Sequence, residues 1–224
     1  MNMPLLVLRP QPAADRTVAQ AREAGFEATA YPLFAVRAMM WDAPPASEFD
    51  ALLFTSANAP RTSGAQLAAY ARLPVYAVGA ATARAARAAG FVNVVTGDAD
   101  AGVIAARIAA DGHRAVLHLR GAQARAFDPH GLNIISVPVY ASEPAGDAEG
   151  LTRMAAPLSA LLVHSPRAGE RIADLTDDAA RGALHIIAIS ENALAACGAG
   201  WASARAANVP TTEAMLELAR EIYR

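Results

Sequence analysis

The stretch Ala51-Leu-Leu-Phe-Thr-Ser-Ala-Asn-Ala59 occurs a second time as Ala160-Leu-Leu-Val-His-Ser-Pro-Arg-Ala168, a shift of 160 − 51 = 109. Each copy runs from a continuous apolar segment into small and hydroxyl-bearing residues. That is the pattern of a buried strand ending where a helix begins. The match extends outward: Val75-Tyr-Ala-Val-Gly79 pairs with Ile186-Ile-Ala-Ile-Ser190, and Leu6-Val-Leu-Arg9 with Leu117-His-Leu-Arg120, both shifted by 111 (186 − 75 and 117 − 6). Gly25-Phe, a strand and Tyr31-Pro-Leu-Phe34 echo Gly131-Leu, a strand and Pro138-Val-Tyr140. A period of half the chain describes two similar α/β units, not a solenoid, whose repeats run to ~20–45 residues.

Around these anchors the spacing predicts strands over 5–9, 28–32, 51–55, 75–78, 92–95, 115–119, 134–139, 160–163, 186–189 and 204–206. Helical periodicity falls over 15–24, 57–71, 80–89, 102–110, 169–175, 192–197 and 212–223, the last capped by Thr211 with Ala214, Leu216 and Leu218 as its apolar face. Apolar strands alternating with helices make parallel sheets covered on both faces. Residues 31–37 and 137–144 are extended and proline-bearing, which suits two chain crossings between units. Composition leaves a discontinuous arrangement and a simple cut near residue 112 equally open.

The composition narrows the function. With 54% hydrophobic and 18% charged residues, the 224-residue chain can bury a sizeable core. A net charge of −2 argues against a nucleic-acid or membrane-surface protein. No apolar run approaches the ~20 residues of a membrane span, and no leader is evident ahead of Leu5, so the expected location is cytoplasmic. All 19 basic residues are arginine. The absence of lysine removes Walker P-loops, Schiff-base enzymes, protein kinases and lysine-dependent phospho-receivers. The lone Cys197 leaves no disulfide and reads as a small buried hydrophobe, and no Cys–His cluster has zinc spacing.

The polar residues at the strand ends are the candidate site. Thr55, Ser56 and Asn58 follow one strand and His164-Ser165-Pro166 its counterpart, where free backbone N–H groups and hydroxyls favour an anion. Ser56 and Ser165 read either as ordinary helix N-caps or as a paired binding site. Val78-Gly79-Ala-Ala-Thr82 is a second strand-to-helix turn, without the spacing of a dinucleotide fingerprint; Ser190 stands at its counterpart. Arg9 and Arg120 end matched strands, as carboxylate-binding forks or as members of ion pairs. His118 and His185, in or beside apolar strands, read as packed. The residues by themselves describe a two-lobed binder of an anionic ligand with no evident catalytic machine.

Taken in order, Arg9-Pro10, Phe54-Thr-Ser-Ala-Asn58, Val78-Gly-Ala-Ala-Thr82, Leu119-Arg-Gly121, Val139-Tyr140, Ser165-Pro166 and Pro210-Thr-Thr-Glu-Ala-Met-Leu216 resemble the uroporphyrinogen-III synthase family over essentially the whole chain. The resemblance implies an α/β protein of two similar flavodoxin-like parallel-sheet domains, joined by a two-stranded linker with the active site in the interdomain cleft. It favours the discontinuous division: 1–34 plus 143–224, an inserted 38–136, and linker strands 35–37 and 137–142. It further implies a cofactor-free monomeric enzyme acting on hydroxymethylbilane, taken over from hydroxymethylbilane synthase, and no metal. Tyr140 falls on the family's most prominent side chain, a tyrosine in the second linker, and is the candidate catalytic group, to hydrogen-bond the departing hydroxyl; packing at the hinge is the alternative. Ser56, Thr82 and Ser165 carry over as binding positions; with Arg9, Thr55, Asn58, Gly79, Arg120, Gly121 and Ser190 from the strand ends they make up the expected substrate-binding set. The chain departs from the family pattern at Ala59-Pro60 and Ser190-Glu-Asn192. A non-catalytic two-lobed sensor of small anions is the alternative, and a nucleotide-sugar transferase lacks its acidic motif here.

Overall fold

The computed structural model describes residues 4–97, 100–155 and 159–223. The elements run β1 (Pro4–Val7), α1 (Ala13–Glu23), β2 (Glu27–Ala30), β3 (Phe34–Ala38), β4 (Ala51–Phe54), α2 (Asn58–Thr62), β5 (Val75–Val78), α3 (Ala80–Ala88), β6 (Val94–Gly97), α4 (Ala101–Ala110) and β7 (Ala115–Gly121). They continue β8 (Asn133–Pro144), α5 (Ala148–Met154), β9 (Ala160–Val163), α6 (Pro166–Leu175), α7 (Asp178–Arg181), β10 (His185–Ala188), α8 (Glu191–Ala195), β11 (Ser203–Ala206) and α9 (Thr212–Ile222). The chain divides into two compact units, Met1–Ala35 with Glu143–Arg224, and an inserted Val36–Ser142.

In the unit built from the two chain ends the sheet order is β11-β10-β9-β1-β2, with every pairing parallel. Counted along this unit alone, that is the flavodoxin-like order 2-1-3-4-5. The inserted unit has the order β3-β8-β7-β4-β5-β6, parallel from β8 through β6. Leaving β3 aside, its own order is 3-2-1-4-5, so the flavodoxin-like order expected of both units describes only the first. The strand layout is nevertheless the same. Leu162 lies opposite Val7 in one sheet and Leu53 opposite His118 in the other. The two units are cyclic permutations of one arrangement, differing in where the chain enters it.

The repeated apolar segments become the central strands β4 and β9, buried at every position. Period-two alternation sends their side chains to both faces. In the first unit Leu6, Leu161 and Ile186 pack with Ile172 on one face, while Leu5, Leu162 and Ile187 pack with Val18 and Met215 on the other. In the inserted unit Leu52, Phe54 and Leu117 pack with Ala86 and Phe91, and Leu53 and Val116 with Ile104 and Ile108. Each such side chain contributes roughly 1.5–3 kcal/mol by leaving water, so these layers dominate the stability.

Several elements differ from the sequence expectation. The helix expected over 57–71 is broken into α2 and a 3-10 segment, Ala65–Tyr70, because Gly64 adopts φ +71° between them. The strand expected over 92–95 lies at β6, displaced along the chain, and leaves Val92 91% exposed. Residues 35–37 and 137–142 are strand residues, as expected, within β3 and β8. Helices α5 and α7 carry Asp147 and Asp177 as side-chain N-caps. In α9, Met215, Leu216 and Ala219 are the buried residues, while Ala214 and Leu218 pack at the margin.

One crossover lacks its helix. In the first unit α1 covers the step from β1 to β2, whereas residues 122–132 between β7 and β8 form no helix. From Arg9 to Gly25 there are 25 − 9 = 16 residues, but from Arg120 to Gly131 only 131 − 120 = 11. The missing five exceed one helical turn of ~3.6 residues. Pro129 within the short segment works further against a helix.

Candidate functional site

Ligands of open α/β sheets bind beyond the C-terminal strand ends, where the strand order reverses. The reversal falls between β1 and β9 in the first unit, and between β7 and β4 in the inserted one. Arg9 follows β1 and His164-Ser165 follow β9; Arg120-Gly121 close β7 and Thr55-Ser56 follow β4. The fold therefore gives each reversal point one arginine and one serine from the repeat. The neighbouring strands add Ser190 after β10 and Gly79 after β5.

The serines share one hydrogen-bond pattern. Ser165 Oγ accepts from Ala168 N–H at 3.2 Å as the N-cap of α6, and Ser190 Oγ accepts from Ala193 N–H at 3.3 Å as the N-cap of α8. Ser56 is not an N-cap, since Ala57 holds that place at φ −61°; its Oγ accepts from Asn58 N–H at 3.2 Å. Each bond uses a lone pair of the hydroxyl oxygen, leaving the O–H proton able to reach an anion. Capping and binding are thus compatible in one side chain. Asn58 opens α2, where its carbonyl accepts from Thr62 Oγ1 at 2.8 Å.

Thr55 is tied into a relay, with Oγ1 3.1 Å from His118 Nε2 and His118 Nδ1 3.3 Å from Ser136 Oγ. His118 is 1% exposed, and burial, then the Arg120 charge, pushes its pKa down to about 4. A neutral imidazole carries one N–H. If Nε2 holds it, His118 donates to Thr55 and the threonine proton is free for an anion; the other tautomer consumes that proton. His164 is likewise pushed down to about 4, by burial and then by Arg9. Burial, followed by the nearby Arg16, also lowers Arg9 from its ordinary value.

Among the described residues neither Arg9 nor Arg120 has a carboxylate within 4.0 Å. Arg9 Nη1 donates to Thr17 Oγ1 at 3.4 Å, while Arg120 Nη1 donates to the Gly121 and Ala122 carbonyls at 3.0 and 3.2 Å. Both guanidinium groups are oriented by neutral partners among the described residues.

Tyr140 and Gly121 form a matched pair. A bulge between Arg120 and Gly121 brings Gly121 opposite Tyr140, and Ala122 N–H donates to the Tyr140 carbonyl at 2.8 Å. A Cβ on Gly121 would stand 2.8 Å from Tyr140 Cζ and 3.0 Å from its hydroxyl oxygen, so only glycine leaves room for the ring. Gly79 adopts φ +80° as the N-cap of α3, its N–H donating to the Gly97 carbonyl at 2.7 Å. Thr82, expected to offer its hydroxyl at this turn, is only 4% exposed on the inner side of α3.

A hollow of about 290 Å³ lies beneath the helix-free β7–β8 connection, lined by His118, Arg120, Arg125, Phe127, Ile134 and Ser136, among others. In sequence His118 reads as packed, and Arg125, Phe127 and Ser136 stand in no motif. Part of the signal is present there, because alternation along β7 sends His118 and Arg120 to the same face. Among the described residues no cluster of three or more His, Cys, Asp or Glu side chains is placed to hold a metal ion, and no helix is long and apolar enough to cross a membrane.

The fold has relatives among solved structures. A uroporphyrinogen-III synthetase from Helicobacter pylori is similar at TM-score 0.70 and 19% identity, over 98% of this chain and 100% of that one. A mutant uroporphyrinogen III synthase from the extremely thermophilic bacterium Thermus thermophilus is similar at TM-score 0.50 and 17% identity, over 99% of this chain and 98% of that one. At these identities the likeness establishes the α/β architecture of parallel sheets. No curated protein matches. The family model described as HEM4, uroporphyrinogen-III synthase HemD, matches residues 15–217, and the chain belongs to that family.

Proposed function

We propose that this uroporphyrinogen-III synthase cyclises hydroxymethylbilane as a hydro-lyase whose work is mainly positioning, with Tyr140 assisting the departure of the hydroxyl. The observation that carries the site is the placement of one arginine and one serine of the repeat at each strand-order reversal. The two guanidinium groups lack carboxylate partners among the described residues, and the serine hydroxyls retain their protons for a ligand. A bilane bearing eight carboxylate side chains is matched by such donors in both units, and the proposal has them share one substrate. The finer arrangement implied by the family resemblance, a two-stranded linker and a cleft-borne active site, belongs to the same reading.

In the proposed reaction the C–O bond of the terminal hydroxymethyl group breaks, and the hydroxyl leaves as water with a proton. The bilane becomes a delocalised azafulvene cation. The substituted carbon of ring D attacks it, and a spiro intermediate forms and fragments. Ring D then recloses in the inverted sense and a proton is lost. Unassisted closure gives the symmetric type I isomer, so the enzyme must hold ring D for the less favoured attack. Tyr140 is assigned the hydrogen bond to the leaving hydroxyl, with Gly121 admitting its ring. Ser56, Ser165 and Ser190, with Arg9, Arg120, Thr55 and Asn58, are assigned to the carboxylates. Gly79 and Thr82 are assigned to shaping the β5–α3 turn and not to direct contact, since the Gly79 N–H is taken by the Gly97 carbonyl and Thr82 is buried. No cofactor enters this scheme. A cytoplasmic monomer receiving its substrate from hydroxymethylbilane synthase completes it.

The test is the isomer ratio formed from fresh hydroxymethylbilane with and without the protein. Type III product, proportional to protein and without additives, supports the mechanism. Type I product at the spontaneous rate from folded protein defeats it.

A further inference from the structure

We infer that the hollow beneath the β7–β8 connection seats one carboxylate-bearing pyrrole of the substrate, with Arg120 and Arg125 gripping the carboxylate. This rests on the reading that the substrate is a polycarboxylated linear tetrapyrrole. The lining contains two guanidinium groups, an imidazole and a serine, and no acidic residue. Among the described residues no carboxylate lies within 4.0 Å of Arg120 or Arg125. Arg120 is anchored through Nη1 to two backbone carbonyls at 3.0 and 3.2 Å, which holds its fork in one orientation. Planar forks of this kind suit carboxylates bidentately.

The other walls favour a ring. Phe127 stands edge-on to His118 with centroids 5.5 Å apart, and Ile134 adds an apolar side. About 290 Å³ lies at the lower limit of small-molecule sites, ~300 Å³, room for one substituted ring and not four. A carboxylate on a short apolar stem attached to a flat ring matches basic and apolar walls together, which a bare inorganic anion does not. His118 and Ser136, joined at 3.3 Å, connect the hollow to Thr55, so occupancy there is coupled to the hydroxyl at the strand-order reversal.

The experiment uses the full chain and two readouts. A monopyrrole carrying acetate and propionate side chains is titrated while backbone amide resonances are followed. Saturable shifts are expected at Arg120, Arg125, Phe127 and Ser136, with affinity about tenfold lower in Arg125→Gln and partly restored in Arg125→Lys. In the cyclisation assay Arg125→Gln is expected to raise KM about tenfold, with a smaller change in kcat. Arg125 is exposed, and unchanged thermal unfolding of both variants verifies the fold. Absence of saturable shifts there, indifference of the probe to Arg125→Gln, equal competition by inorganic phosphate, or an unchanged KM each overturns the inference. Wild-type protein that yields no type III product would defeat the proposed reaction instead, and the probe titration would still judge the hollow.

Discussion

The two units lay the same five strands side by side and differ at the polar positions. In the inserted unit His118, opposite Leu53, reaches Thr55 on the neighbouring strand end. At the corresponding positions the first unit has Val7, opposite Leu162, and His164 in place of Thr55. His164 therefore bonds the Leu162 carbonyl through Nδ1 at 3.2 Å, and its buried Nε2 has no partner among the described residues. One unit satisfies its buried imidazole on both sides; the other leaves one nitrogen unmatched. Pro10 stands where the inserted unit has Gly121, and α1 fills the place of the helix-free connection above the hollow. The repeat keeps the strand scaffold and the arginine and serine at its strand ends. Among the described residues Tyr140, the relay and the hollow lie in the inserted unit.

The largest expected effect tests the satisfied imidazole. An unfolded His118 takes up a proton near pH 6.5, which the folded chain refuses until about pH 4. The stability this residue contributes at pH 7 therefore falls as pH drops through that window, by roughly 3 kcal/mol once below it. Urea unfolding of His118→Asn at pH 7 and pH 4 should show a correspondingly smaller acid loss than wild type. Equal losses would mean that the histidine is not held neutral.

Next comes the asymmetry of the tyrosine. Tyr140→Phe should bind hydroxymethylbilane with unchanged Kd and lose about a hundredfold in kcat, the lower range for removal of a proton-transfer group. An unaltered rate would reduce Tyr140 to packing and erase the functional difference between Gly121 and Pro10.

Helix packing offers a structural contrast. A Cβ on Gly169 would stand 2.7 Å from the Ala193 carbonyl oxygen and 3.0 Å from Ala196 Cβ, so α6 and α8 meet through a glycine. The matched position in the inserted unit, 169 − 109 = 60, holds Pro60, whose ring is buried. Gly169→Ala should cost about 2 kcal/mol in a denaturant titration. A neutral result would show that the helices in the first unit can separate at little cost.

Gly121→Ala is expected to lower kcat about tenfold, since the added methyl must displace the Tyr140 ring. Combined with Tyr140→Phe it should add little further loss; full additivity would separate the two residues. The smallest effect is Thr211→Ala, which removes the bond from Ala214 N–H at 3.2 Å and should cost about 1 kcal/mol. Hydrogen exchange should place that loss in α9 and leave the inserted unit protected; uniform loosening of both would argue that they unfold as one.

Local sequence was enough to specify the repeat, the α/β class, the central strands and the strand-end locations of Arg9, Ser56, Arg120 and Ser165. Those features depend on hydrophobic runs and on a one-dimensional match, both carried by neighbouring residues. It could not specify the cyclic permutation of the second sheet, because strand order depends on pairings between segments far apart in the chain. Nor could it show that Gly121 makes room for Tyr140, that Thr82 turns inward, or that His118 joins Thr55 to Ser136. Each of these is a contact across strands or helices, made only when the sheet sets the register. The hollow is the clearest case. Its residues are scattered from 118 to 136, and they line one space because the short connection between β7 and β8 leaves them uncovered by a helix.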